Sequence, residues 1–205
     1  RISPTAALVF GAALILLGTL VLVWKVNLLT GFLGLLSAFL YVLVYTPLKR
    51  VSWINTLVGG IPGALPPMGG WAAASGELSL GAWVLFLILF VWQQPHFYAI
   101  AWLYREDYAR GGLKMLPVVD PNGVSTLREI LVYLALLIPL SLMPCVIGLA
   151  GKFYYVGAIV LGIYYLIPGI RLAQTRSMTD ARRLLKASVL YLPLLLALII
   201  FDASF

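Results

Sequence analysis

The chain is a succession of long apolar runs separated by short stretches where lysine and arginine collect. A helix that crosses a bilayer needs about 20 mostly apolar residues. On that measure the runs predict seven spans, at 5–24, 28–46, 57–74, 80–102, 130–150, 153–171 and 185–202. The predicted fold is all-α: a polytopic transmembrane helical bundle, with residues 1–205 as a single domain. The third span is diluted by Gly59-Gly60-Ile61-Pro62-Gly63 and Pro66-Pro67, so its membership rests on charge. With it counted, one side of the membrane receives Arg1, Lys49, Arg50, Arg105, Arg110, Lys114, Arg128, Arg171, Arg176, Arg182, Arg183 and Lys186. That is twelve of the fourteen basic residues, leaving Lys25 and Lys152 opposite. Removing the third span would place four on one side and ten on the other. The positive-inside rule therefore favours the helix and puts the twelve on the cytoplasmic side.

Composition agrees and excludes other classes. Of 205 residues, 62% are hydrophobic and 10% charged, with mean hydropathy +1.03. Soluble domains carry about 25% charged residues, so a water-facing globular surface, a coiled coil and a disordered chain are all excluded. The formal charge of +7 lies at span ends, which suits membrane anchoring and gives no reason to expect nucleic acid as a partner. Cys145 is the single cysteine, so no intramolecular disulfide or CxxC motif exists. No fixed-period repeat, low-complexity tract or signal peptide is visible. The chain opens Arg1-Ile2-Ser3-Pro4, a helix-entry pattern. That abrupt start and the odd span count suggest a fragment of a longer protein.

Chemical groups concentrate on the basic side. One cluster runs from Tyr45-Thr46-Pro47-Leu48-Lys49-Arg50 to Asn55, the other from Tyr104-Arg105-Glu106-Asp107-Tyr108 to Pro117. Lys49, Arg50, Arg110 and Lys114 can surround a polyanion, since guanidinium forks match phosphate oxygens. Asp107 offers the hard oxygen that magnesium shares with substrate phosphates. Glu106, its neighbour, diverges by about 100° on a helix and does not readily chelate with it. Charge alone equally fits basic anchors at lipid headgroups. The fourth span holds Trp92-Gln93-Gln94-Pro95-His96-Phe97, with the only histidine. Polar groups at that depth face a bundle interior or a cavity. They serve either as hydrogen bonds between helices or as substrate contact, proton-transfer group or iron ligand. On an unbroken helix His96 and Asp107 would lie within about 20° of one face, His96 roughly 16 Å deeper, with Tyr104 near that face. Tyr41, Tyr45 and Lys49 form an i, i+4, i+8 ridge. Together these predict a cavity with a charged mouth and an aromatic, apolar throat, suited to a diphosphate head and a long hydrocarbon tail.

These runs, with Gly59-Gly60 through Gly69-Gly70-Trp71 and Asp107-Tyr108 through Met115-Leu116-Pro117, resemble the protoheme IX farnesyltransferases, or haem O synthases, of the UbiA-type intramembrane prenyltransferase superfamily. The resemblance implies nine transmembrane helices around a central cavity, this chain supplying the last seven. It implies transfer of the farnesyl group of farnesyl diphosphate to a vinyl group of haem b, giving haem O and releasing diphosphate, in the bacterial inner membrane with the active site facing the cytoplasm. Haem b would be substrate rather than cofactor, and Mg2+ the cofactor. Haem O would then serve terminal oxidases or pass to the haem A synthesis enzyme as a partner. Asp107 would hold magnesium-diphosphate, with Lys49, Arg50, Arg110 and Lys114 balancing charge, Asn55 orienting it and His96 engaging haem or a proton. Tyr45, Gln93 and Tyr104 complete the expected substrate contacts.

Two departures follow. The family's first aspartate-rich motif has no counterpart here, and the second has one aspartate where many relatives outside the haem branch have a spaced pair. The chain alone is therefore expected to hold about half of the diphosphate site and to be inactive by itself. The alternatives are a relative that prenylates a quinone or chlorophyll precursor, and a non-enzymatic haem-binding membrane protein.

Overall fold

The computed structural model describes residues 2–202, so Arg1, counted above among the basic residues, lies outside the described residues. Seven long helical segments stand where seven spans are predicted: α1 (Pro4–Lys25), α2 (Leu28–Phe39) continued by a π-helical turn (Leu40–Tyr45) and α3 (Thr46–Leu48), α4 (Asn55–Ser75), α5 (Leu80–Leu103), α8 (Val124–Val146), α9 (Lys152–Thr175) and α10 (Met178–Asp202). Two short helices, α6 (Arg105–Arg110) and α7 (Leu116–Val119), fill the loop after α5. The described residues contain no β-strand.

The last three helices begin earlier or end later than their apolar runs. Gly123, at φ +69°, turns the chain, and Asp120 Oδ2 accepts the Thr126 N–H at 2.9 Å, so α8 begins at Val124 and not near 130. Between α9 and α10 the Ser177 Oγ accepts the Asp180 N–H and donates to Asp180 Oδ2. This reciprocal cap lets α10 start at Met178 with its polar first turns already helical.

Helices α5, α8, α9 and α10 pack as a closed group around Ile88, Tyr98, Ile130, Leu134, Tyr165, Leu184 and Tyr191. On the far side of α5 the order is α4, then α2, then α1, an open wing with a smaller core of Leu33, Leu65, Met68, Ala72 and Ala82. Six of the long segments are apolar enough to cross a membrane, and the protein is an integral membrane protein. The exception is α4, whose glycines and prolines lower its hydropathy.

Hydrogen bonds to its neighbours hold α4 in place, and one of them meets a carbonyl that a proline deprives. Pro66 offers no N–H to the carbonyl of Pro62, which instead accepts from Ser37 Oγ of α2 at 3.1 Å. Gln93 Nε2 of α5 donates to Gly60 O at 2.6 Å, and Asn27 Nδ2, before α2, donates to Ala72 O at 2.7 Å. Contacts between loops fix which ends lie together. The Lys114 N–H donates to Lys49 O, and Arg176 Nη1 donates to Asn122 O, so three basic loops share one end. The Gly151 N–H meets Asp202 at the other. This is the arrangement that counting α4 as a span requires.

Ser37→Ala should strand the Pro62 carbonyl and lower stability by about 1 kcal/mol, read as an earlier unfolding midpoint in mixed detergent, with Ser37→Thr retaining most of the difference.

Candidate functional site

The two polar clusters meet. After α6, three successive amides close the helix end: Gly111 N–H to Asp107 O, Gly112 N–H to Ala109 O and Leu113 N–H to Tyr108 O. Gly112 sits at φ +68°, a left-handed conformation that glycine takes without a Cβ penalty. The turn brings Lys114 against the chain following α3, where its N–H donates to Lys49 O at 2.7 Å. Asn55, fully buried at the start of α4, completes the clasp. Its Nδ2 donates to Lys114 O at 2.9 Å and to Ser52 O at 2.6 Å. The amide of Asn55 therefore holds the loops in place, while the side chains of Arg50, Arg110 and Lys114 remain exposed around them.

Beneath the clasp lies a cavity of about 500 Å³, bounded by α1, α2, the π-turn, α4 and α5. Its wall is mostly apolar, with Tyr41, Tyr45, Thr56 and Ser37 supplying hydroxyls and Phe97 reaching in from α5. The π-turn positions the two tyrosines, and such single turns recur at functional sites. The Thr46 N–H and Oγ1 both bond Tyr41 O, the latter at 2.8 Å. Tyr41 and Tyr45 rings stand 5.3 Å apart. The Lys49 ammonium lies 4.2 Å from the Tyr45 ring centroid and 5.6 Å from that of Tyr41, so the predicted ridge is present. Gly59 makes room for it: any Cβ there would meet the Tyr45 ring at 2.6 Å.

On α6, Asp107 pairs with Arg110 one turn on. Both are more than half exposed, so the pair is available to exchange partners with an incoming anion. The phenol of Tyr108, between them, has its pKa raised by burial and by the neighbouring Tyr104, and lies within electrostatic reach of Tyr45. The expected common face of His96 and Asp107 is corrected here. Tyr104 leaves helical geometry at φ −114°, ψ 24°, so α5 ends and α6 starts a separate helix. The position of Asp107 relative to Lys49 is set by the clasp, not by helical phase.

The fourth-span polar groups divide between two seams. Gln93 is buried against α4, where Gly63 leaves space for its Oε1 and Gly60 accepts its hydrogen bond. His96 turns the other way. Its Nδ1 lies 2.7 Å from Ser188 Oγ of α10, its ring stacks on Trp92, and the Trp92 indole N–H donates to Ser188 O. His96 is not part of the cavity wall. Tyr104 is exposed at the helix break. Of the lining residues, Thr56 and Ser37 carry no signal in the sequence, and Gly59, Gly63 and Phe97 stand out there only as members of longer runs, not as cavity wall. The small-residue spacing of Gly59 and Gly63 was the wall's one available signal.

Among the described residues no three histidine, cysteine or acidic side chains gather into a metal cage. Asp107 supplies one exposed carboxylate beside cations. That donor set fits an ion shared with substrate phosphates, the way magnesium is commonly held. Asn55→Ala should leave the Lys114 carbonyl without its side-chain donor, while Ser52 O keeps the Asn55 backbone N–H, and cost about 1–3 kcal/mol. Asn55→Asp, which cannot donate, should behave alike, measured as a lower melting midpoint in detergent.

Comparison with known proteins agrees with this architecture. Residues 1–197 match the UbiA prenyltransferase family. The chain is 50% identical to the protoheme IX farnesyltransferase of Solibacter usitatus, over 98% of this chain and 69% of that one. It is 51% identical to that of Salinibacter ruber, over 79% and 57%, and 42% identical to that of Thermus thermophilus, over 100% and 34%. The chain thus spans between about a third and just over two thirds of the length of these relatives. A solved structure concerning digeranylgeranylglyceryl phosphate synthase shares the fold, with TM-score 0.81 and 20% identity over all of this chain and 72% of that one. The chain belongs to the UbiA prenyltransferase family, on the branch of its protoheme IX farnesyltransferase relatives.

Proposed function

We propose that the full-length protein transfers the farnesyl group of farnesyl diphosphate to a vinyl group of haem b, yielding haem O and diphosphate, through a single transmembrane prenyltransferase domain in a bacterial inner membrane. The observation that carries this reading is the Lys49 ammonium, held over the rings of Tyr41 and Tyr45 at the mouth of an apolar cavity. A cation above an aromatic throat is complementary to a diphosphate joined to a hydrocarbon. The names of the relatives supply the haem acceptor. The twelve-to-two charge bias supports a cytoplasmic mouth.

Chemistry starts with cleavage of the bond between the farnesyl C1 and its diphosphate oxygen. Lys49, with Arg50, Arg110 and Lys114 on the clasped loops, stabilises the charge that grows on the leaving oxygen. Asp107 would hold a divalent cation, proposed to be Mg2+, which when bound neutralises diphosphate charge. The faces of Tyr41 and Tyr45 favour the allylic cation through their ring quadrupoles. The vinyl terminal carbon then forms the new carbon–carbon bond. Water adds to the resulting cation, and its proton leaves to the released diphosphate. The apolar wall delays water until the carbon–carbon bond exists. Haem O would serve terminal oxidases or pass to the haem A synthesis enzyme. His96, bonded to Ser188, enters this proposal as a residue of the α5–α10 seam.

Membranes containing the full-length protein, given haem b, farnesyl diphosphate and magnesium, should yield a hydroxyethylfarnesyl haem detectable by mass spectrometry. Farnesyl diphosphate consumed with haem unchanged would move the acceptor to a quinone or chlorophyll precursor. Neither consumption nor binding would remove the enzyme reading. Asp107→Asn should slow turnover about tenfold or more at limiting magnesium, with partial recovery as magnesium is raised.

A further inference from the structure

Away from the cavity, near the basic end of the bundle, the seam between α9 and α10 opens into a cleft of about 310 Å³. Tyr164, Ile167 and Pro168 form one wall, and Arg183, Lys186 and Ala187 the other. Helix α9, at 24 residues, is about 36 Å long, against roughly 30 Å of bilayer hydrocarbon. Lys186 lies eight residues into α10, about 12 Å from its start. Because the turns before it are polar, it stands where the apolar run of α10 begins, on an exposed helix face. A lipid-facing cation at that depth is costly unless it reaches the interface or finds an anion.

The protein supplies only part of that anion. Arg183 Nη1 bonds Asp180 Oδ1 at 2.8 Å, but no acidic side chain among the described residues pairs with Lys186 or Arg171. Arg171 follows Ile167 by one turn on the same face of α9, placing a third cation above the cleft. Below it the surface is apolar and uncovered. Ile163 and Val160 precede Ile167 by about one and two turns, and Leu190 and Leu194 follow Lys186 at the same intervals. Pro168 adds a polar feature, because it has no N–H to offer the Tyr164 carbonyl, which lacks its usual helical donor.

The geometry points to a binding site for an anionic phospholipid with a hydroxylated headgroup. The phosphate lies between Arg171, Arg183 and Lys186, and one acyl chain runs down the Ile163 and Leu190 faces. Basic pockets between transmembrane helices are the expected form of such a site. It is separate from the cavity wall and independent of the reaction proposed above.

The test uses the full-length protein in detergent, with native mass spectrometry of bound phosphatidylglycerol against phosphatidylcholine of equal chain length. Phosphatidylglycerol should be retained in preference, and the preference should fall over about a tenfold rise in salt starting from about 50 mM. Arg171→Gln with Lys186→Gln should weaken phosphatidylglycerol binding roughly tenfold, while Lys186→Arg keeps it. Arg183 stays unaltered because it braces Asp180. The lipid-free melting midpoint of the double variant checks its folding, and the salt series on the unaltered protein stands if that variant does not fold. Equal retention of the two lipids, salt-independent binding, or an unchanged affinity in a folded double variant would overturn the site. Displacement by soluble glycerol phosphate as readily as by phosphatidylglycerol would reduce it to a simple anion site and overturn the lipid assignment.

Discussion

One backbone hydrogen bond, from the Lys114 amide to the Lys49 carbonyl, joins parts of the chain that would otherwise approach the membrane surface independently. Asn55 doubles it by donating to the carbonyl of Lys114 while anchoring the start of α4. Each such bond contributes about 1 kcal/mol net, and leaving a buried partner unmet costs more. Its larger effect is positional. The loop carrying Asp107 and Arg110 is held to the loop carrying Lys49, and the Lys49 side chain is held over the cavity. The left-handed turn at Gly112 and the π-turn before Pro47 serve the same arrangement from either side.

Helix α4 provides the floor. Its three prolines and small residues make it a poor free-standing membrane span, yet they let Tyr45 and Gln93 come close where a larger residue would collide. Hydrogen bonds from Ser37, Gln93 and Asn27 to its carbonyls then fix it between the wing and the closed group of helices. The cavity exists because a helix with little side-chain volume is flanked by helices that hydrogen-bond to it.

Much of this was legible in the sequence, and the reasons differ by feature. The number and order of spans followed from hydropathy, and the charge bias identified α4 where hydropathy alone did not. The Tyr41, Tyr45 and Lys49 ridge survived because its spacing is local. Helix starts at Val124 and Met178 were missed because caps at Asp120 and Ser177 extend helices past their apolar stretch, although Ser177-x-x-Asp180 is a readable capping pattern. The relation between His96 and Asp107 was misjudged by extending one helix across Tyr104, a break that no proline or glycine announces. That His96 faces Ser188, 92 residues away, depends on helix rotation in the assembled bundle, as does the division of Gln93 and His96 between opposite seams.

The clasp is open to direct observation through hydrogen exchange of the Lys114 amide in the full-length protein in lipid nanodiscs. A bonded amide beside a fully buried Asn55 should exchange far more slowly than an amide in an open loop, by about two orders of magnitude or more if opening costs roughly 3 kcal/mol. Exchange as fast as that of an unstructured peptide would show that the two loops move independently, and the positioning of Lys49 and Asp107 at one mouth would lose its physical basis.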